Sequence, residues 1–299
     1  MKNIVLMLLF CLSSLTFAGH EIGNGGHILK CDDGSYEIYD LFYIKKFWNT
    51  FPTPPSDSAS EYKMVESYIE PLKEFYPELH KMFDTALEHF KVGLQFENEL
   101  VFGNSGDIGT VFGKKGCEIL QIAVQQYDPV FDRTRFFVDR ELYTKLDTFN
   151  RSVLIIHELI YYVMKYENAQ KVRLFNYAFL NDMFSITTIK YQMNLFKNLN
   201  IESVVFKSIP IQINEDMVFD EKGNLLEAKS VKGRKIEFEF FEFYLSGGRI
   251  YFYNNASPKE VIAELRFPIF YEKEYLLPGY YKLHFDKDAR LIKIDQDLF

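Results

Sequence analysis

Residues 153–162 read VLIIHELIYY, and the organisation of the chain follows from how this stretch folds. No Gly or Pro interrupts it, and the spacing predicts a helix from Asn150 to about Lys165. At ~100° per residue, Val153, Ile156, Leu159, Ile160, Val163 and Met164 share one arc. His157, Glu158, Tyr161, Tyr162 and Lys165 fall in an opposite arc of about 140°. A helix with one His and one acid beside two phenols, on the face away from its apolar stripe, either displays chemistry in a cleft or positions itself through a hydrogen-bonded pair.

Other helices surround it. A Pro- and Ser-rich stretch, 51–60, marks a loop. Ser58 followed by Glu61 has capping-box spacing and starts a helix. Pro77 suits the first position of another, with Leu79, Met82, Phe83, Ala86, Leu87 and Phe90 as its apolar stripe and Gly93 as its stop. Glu141–Asp147 forms a short helix, and helical pattern runs from Ala169 to about Phe196.

Strands are legible elsewhere. His27–Cys31 reads as a strand, followed by a turn at Asp32-Asp33-Gly34 and a second strand from Tyr36. Cys117–Gln126 and Thr134–Val138 read as strands pairing around Asp128-Pro129. The composition shifts near Asn200. From Val204 onward, short alternating strands are separated by turns at 221–224, 246–248, 254–255 and 286–288. Ile236, Phe238 and Phe240 alternate with acids, after which Phe241, Phe243 and Leu245 take the apolar phase, which predicts a bulge or bend at Phe240–Phe241. The fold class is therefore α+β: an N-terminal mixed helical and β domain over 19–200, then an antiparallel β-rich C-terminal region over 201–299.

Residues 1–18 read as a signal peptide. Lys2 is the basic start, Ile4–Leu12 is an apolar run too short to span a bilayer, and Thr16 and Ala18 suit a cut before Gly19. Cys11 lies inside the apolar run and follows Phe10, which excludes a lipoprotein site. Removing the segment takes Lys2, one of 34 basic residues against 42 acids, and moves the formal charge from −8 to −9. An acidic exported chain with no basic tract excludes nucleic-acid binding, where phosphate contacts dominate affinity. No other run is long enough for a membrane span. Of three cysteines, Cys31 and Cys117 remain, an even pair in an oxidising compartment and so a disulfide. Closing so long a loop is worth about 4–5 kcal/mol in the chain-entropy account. Asn150-Arg-Ser and Asn255-Ala-Ser match the glycosylation sequon.

The stretch at His157 resembles the HExxH helix of zinc peptidases, in which two His at i and i+4 hold zinc and the Glu is the general base. That resemblance implies His157 as a metal ligand, Glu158 as catalytic base and zinc as cofactor. The second His, however, is Tyr161, a neutral phenol and a poor zinc ligand. Asp182 sits where a downstream acidic ligand would lie, and His27 near Asp32 and Asp33 is a further site element. The alternative is a buried His157–Glu158 pair that fixes the helix against neighbouring strands, with no cofactor.

Taken in order, Gly23-Asn-Gly-Gly26, Cys31, Tyr39-Asp-Leu41, Gly116-Cys117 through Gln125, Phe137-Val-Asp139 and Leu154 through Tyr161 resemble a family of uncharacterised secreted bacterial proteins. The likeness covers 19–185. It implies export from a Gram-negative-type bacterium, and it makes Tyr161 the family's normal residue. The position after it is often Arg there and is Tyr162 here. The functional expectation is an exported periplasmic or cell-envelope protein that is non-catalytic and binds an envelope or extracellular partner. The runner-up is a metal-dependent hydrolase using His157 and Glu158.

Overall fold

The computed structural model describes residues 26–55, 59–98, 113–165, 169–207, 209–238, 241–271 and 274–296. The segment 1–18, expected to be a signal peptide, and Gly23–Gly25 lie outside them. In chain order the N-terminal part runs β1 (His27–Cys31), β2 (Tyr36–Ile38), α1 (Tyr39–Trp48), α2 (Glu61–Ile69), α3 (Leu72–Phe75), α4 (Pro77–Gly93), β3 (Leu94–Glu97), β4 (Cys117–Gln121), β5 (Ala123–Asp128) and β6 (Arg133–Asp139). Then come α5 (Arg140–Lys145), α6 (Thr148–Met164), α7 (Ala169–Leu180), α8 (Met183–Ile186) and α9 (Ile189–Asn198). The rest is strand: β7 (Ser203–Phe206), β8 (Ile209–Gln212), β9 (Val218–Phe219), β10 (Leu225–Lys229), β11 (Lys235–Phe238), β12 (Phe241–Phe252), β13 (Pro258–Leu265), β14 (Ile269–Tyr271), β15 (Glu274–Leu276), β16 (Gly279–Phe285) and β17 (Leu291–Gln296). The fold is α+β.

Two small sheets frame α6. The first has the order β2-β1-β4, the second β3-β6-β5. The stretch expected to be one strand, Cys117–Gln126, is divided between them at Ile122. The Ile122 N–H donates to Gly26 O and its carbonyl accepts from Asp139 N, both at 2.9 Å. One apolar run therefore serves two sheets, because the chain turns onto a new partner where the first ends. The β1–β4 register sets Cys31 opposite Cys117, and their sulfurs stand at disulfide distance, 2.01 Å apart.

The helices follow their local signals with three corrections. α2 is capped by Ser60, whose hydroxyl accepts from Lys63 N, and not by Ser58, which lies outside the described residues. Met82 was placed on the α4 stripe but is exposed, while Phe83, Ala86, Leu87 and Phe90 are buried. Gly93 is the last residue of α4, where the chain turns extended at Leu94, and a Cβ on it would stand 2.7 Å from the Thr134 carbonyl. α1 is an element that the strand reading from Tyr36 did not anticipate. β2 stops after three residues, and Tyr39, Asp40, Leu41 and Ile44 form a buried helical face.

Beyond Asn200 a seven-stranded antiparallel sheet has the order β17-β16-β13-β12-β10-β9, with β11 beside β12. Its strands alternate buried and partly exposed residues, as a sheet covered on one face requires. Phe238 pairs antiparallel with Phe241, which makes β11 and β12 partner strands and not one strand with a bulge; the expected slip at Phe240 itself lies outside the described residues. A bulge does occur, but at 246–248, expected to be a turn. There β12 continues through a register shift between Leu245 and Ile250, with Gly247 at φ 84°. The two parts meet through Phe206, whose ring contacts Phe75 at 6.0 Å and Phe252 at 5.6 Å between centroids. One continuous hydrophobic core extends from Ile28 to Phe285. Among the described residues no helix is long and apolar enough to cross a membrane.

Candidate functional site

α6 begins at Asp147, whose carboxylate accepts from Asn150 N at 2.7 Å, a standard N-cap. Asn150 Oδ1 accepts from Ile38 N at 2.8 Å, fixing the β2–α1 junction over the first turn. Asn150, in one of the two sequons, is thus a buried structural residue. His157 lies seven residues, two turns, further along the same face. Asp40, two residues past Ile38, is thereby brought over it.

The imidazole and carboxylate meet at 2.7 Å, His157 Nδ1 to Asp40 Oδ2. Asn176 Nδ2 donates to the same oxygen at 2.8 Å. Arg173, one turn before Asn176 on α7, brings Nε to 3.6 Å from Asp40 Oδ1. Its guanidinium lies over the Tyr39 and Tyr43 rings, 4.8 and 5.3 Å from their centroids. Burial alone would raise the Asp40 pKa, but His157 and Arg173 bring it down to about 2. Burial alone would lower the pKa of His157, yet Asp40 holds it above the usual histidine value. The pair is ionic.

Glu158 turns towards the small sheets. Its Oε1 accepts the Gly26 N–H at 2.7 Å and its Oε2 accepts Gln125 Nε2 at 2.8 Å. The same Gln125 nitrogen also donates to the Glu158 carbonyl at 2.7 Å. Burial pushes the Glu158 carboxyl up, against the pull of His157 and these two donors. Gly26 also packs closely on α6: a Cβ there would lie 2.2 Å from Leu154 Cδ1. His27, expected near Asp32 and Asp33, instead shares the buried network, while those two acids sit in the exposed β1–β2 turn. Burial, and then the positive charges of His157 and Arg173, lower its pKa to about 4.

The face that carries His157 and Glu158 is therefore covered, and the two side chains bond separate partners and not each other. His157 is 1% exposed and Glu158 0%. The reading of α6 as one apolar arc against one open arc is corrected: every residue from Ser152 to Tyr161 is buried, because layers pack on both sides. Tyr161 packs its ring on His157, centroids 5.1 Å apart. Tyr162 leaves the network on another side, its hydroxyl bonded to His89 Nδ1 at 2.8 Å. Asp182 sits at the α7–α8 junction, exposed, and is not among the groups acting on His157.

The residues present do not fit a zinc centre. His157 Nε2 has no partner among the described residues, but no group of three His, Cys, Asp or Glu side chains there would hold a metal. Glu158, the base of such a scheme, has both oxygens engaged by donors of this chain. Sequence reading missed Asp40, Arg173, Asn176 and Gln125. A signal existed for Asp40, a charge inside the apolar run Tyr39–Ile44, and for Arg173, placed between Val172 and Leu174.

No protein-family model matches the chain, and no curated protein or solved structure matches it.

Proposed function

We propose that this chain is an exported, non-catalytic protein of the periplasm or cell envelope that acts by binding, and that its His157–Glu158 helix is an internal strut. The observation that carries this reading is the complete burial of Glu158, with each side-chain oxygen accepting from a donor of this chain, the Gly26 N–H and Gln125 Nε2. A general base must come within hydrogen-bond reach of the water it activates, and Glu158 has no surface open to solvent. Here both oxygens instead tie α6 to the strands on either side. The disulfide-distance pair Cys31–Cys117 agrees with an oxidising compartment.

The hydrolase reading has one observation in its favour, the unpartnered Nε2 of His157. Elemental analysis of the purified protein, with and without His157→Ala, separates the two. No stoichiometric zinc in either sample agrees with the strut. Zinc that is lost on His157→Ala, with folding intact, would overturn it. Fractionation of the producing cells checks export independently: signal in the envelope or medium supports it, and retention in the cytoplasm refutes it.

A further inference from the structure

Between α1 and α2 the chain reads Phe51-Pro-Thr-Pro-Pro55. Its three prolines fix φ and remove three N–H donors, so the segment keeps an extended shape with no sheet partner. Tyr68 on α2 donates its hydroxyl to Thr53 O at 3.2 Å and pins the segment down. Together with Pro71 and the α7–α8 junction, it encloses a cleft of about 490 Å³. That volume lies within the range of small-ligand sites, about 300–1,000 Å³.

The chemistry of the lining is one-sided. Among the lining residues Asp182 is the one charged side chain; the others are apolar, hydroxyl or amide. Asp182 adopts a left-handed backbone, φ 51°, at the start of α8, yet its side chain does not cap that helix. Its carboxylate makes no hydrogen bond or ion pair among the described residues. Its charge nevertheless reaches the cleft: burial, and then Asp182, push the Tyr68 phenol well above its usual range. Phe51, another lining residue, leaves 69% of its surface in water.

A carboxylate without a cation, an exposed aromatic ring and a rigid proline wall are complementary to an ammonium group on an aliphatic stem. The charge pairs with Asp182, the ring faces attract the cation, and the methylenes cover the prolines. The preformed wall lowers the ordering cost of binding. We infer that this cleft, formed by Phe51–Pro55, Tyr68 and Asp182, binds a primary amine carried on an aliphatic stem, from a free alkyl diamine or from a lysine side chain. The inference rests on the binding reading above and gives it a ligand class.

The test uses cadaverine and Nα-acetyl-lysine N-methylamide, titrated into the full chain by calorimetry. The single tryptophan, Trp48, is a second reporter: its ring packs on Tyr177 at 4.5 Å, and Tyr177 O accepts from Asn181 of the cleft. Saturable binding of either amine, with none by Nα-acetyl-norleucine N-methylamide or glucose, is the expected result; the tighter of the two amines identifies the source. Asp182→Asn should weaken binding about fivefold or more at unchanged melting temperature, since Asn also tolerates the left-handed backbone. Phe51→Ala should weaken it by about two- to fivefold. Absence of saturation in the millimolar range, equal binding of the norleucine analogue or of glucose, or an unchanged affinity in Asp182→Asn would overturn the proposal. Such a failure leaves the strut and export readings standing, because unfolding and fractionation measure those.

Discussion

The chain places a histidine against an aspartate twice, once inside and once outside. In the N-terminal part His157 meets Asp40 at 2.7 Å, with side chains 2% and 3% exposed. On the C-terminal sheet His284 meets Asp295 at 3.1 Å, with side chains 27% and 41% exposed. The outer pair sits in a lattice of charges across β13, β16 and β17. His284 also faces Glu260 at 3.8 Å, Lys282 faces Glu260 at 3.2 Å, and Lys293 faces Asp295 at 2.7 Å. Water and neighbouring charges replace any one of these contacts. At the inner pair water cannot take over, and Asp40 would keep only Asn176 and the more distant Arg173. The same chemistry therefore has a different worth in the two places, because a buried ion deprived of its partner keeps its desolvation penalty.

The largest difference should appear on removing each imidazole. His157→Ala removes the closest partner of the buried Asp40 carboxylate, leaving it Asn176 and the more distant Arg173, and should lower the unfolding free energy by about 3 kcal/mol. His284→Ala should cost under about 1 kcal/mol and less at high salt. Equal losses in urea denaturation would erase the distinction.

Next in size is a pH effect confined to the inner region. His27 stays neutral in the fold down to about 4, whereas the unfolded ring takes a proton near 6.5. Stability should therefore fall as the pH drops from 6.5 to 4, by about 3 kcal/mol from this group. His157 acts in the opposite sense: raised in the fold, its contribution is present below its unfolded pKa and lost as the pH rises through the folded one. Asp40, lowered to about 2, contributes above its unfolded pKa and loses that contribution only as the pH falls towards 2. His27→Gln should flatten the decline between pH 6.5 and 4, as measured by denaturation at several pH values; an unchanged slope would remove His27 from the network. A smaller effect is expected from Gly26→Ala, about 1–3 kcal/mol from the clash with Leu154. Leu154→Ala in the same chain should relieve part of it.

The sequence made the elements of the fold more legible than the site. Local chemistry located α4 through Pro77 and Gly93, and α6 through its uninterrupted apolar run. The β-rich half showed in its alternation, and the cysteine pairing followed from the count once Cys11 was assigned to the expected signal segment. The site was half visible. His157 and Glu158 stood out because they are polar residues in an apolar helix, but their partners come from β1, α1, β5 and α7. Asp40 is 117 residues from His157 and Gly26 is 132 from Glu158. Helical periodicity describes one helix at a time. It separates the faces of α6 but does not say that a second layer covers the polar one. The pairing of Phe238 with Phe241 was misread for a related reason. A phase slip is the same in sequence whether the strand bulges or reverses, and the neighbour that pairs with it decides.

The central claim is that Glu158 is a strut, and Glu158→Gln tests it most directly. The amide has one acceptor oxygen where the carboxylate has two, so its NH₂ would face either the Gly26 N–H or the Gln125 amide as a second donor. The unfolding free energy should drop by about 2–3 kcal/mol with the metal content unchanged. A variant within about 0.5 kcal/mol of the parent would contradict the account, because the interactions that tie α6 to its strands would then lie elsewhere.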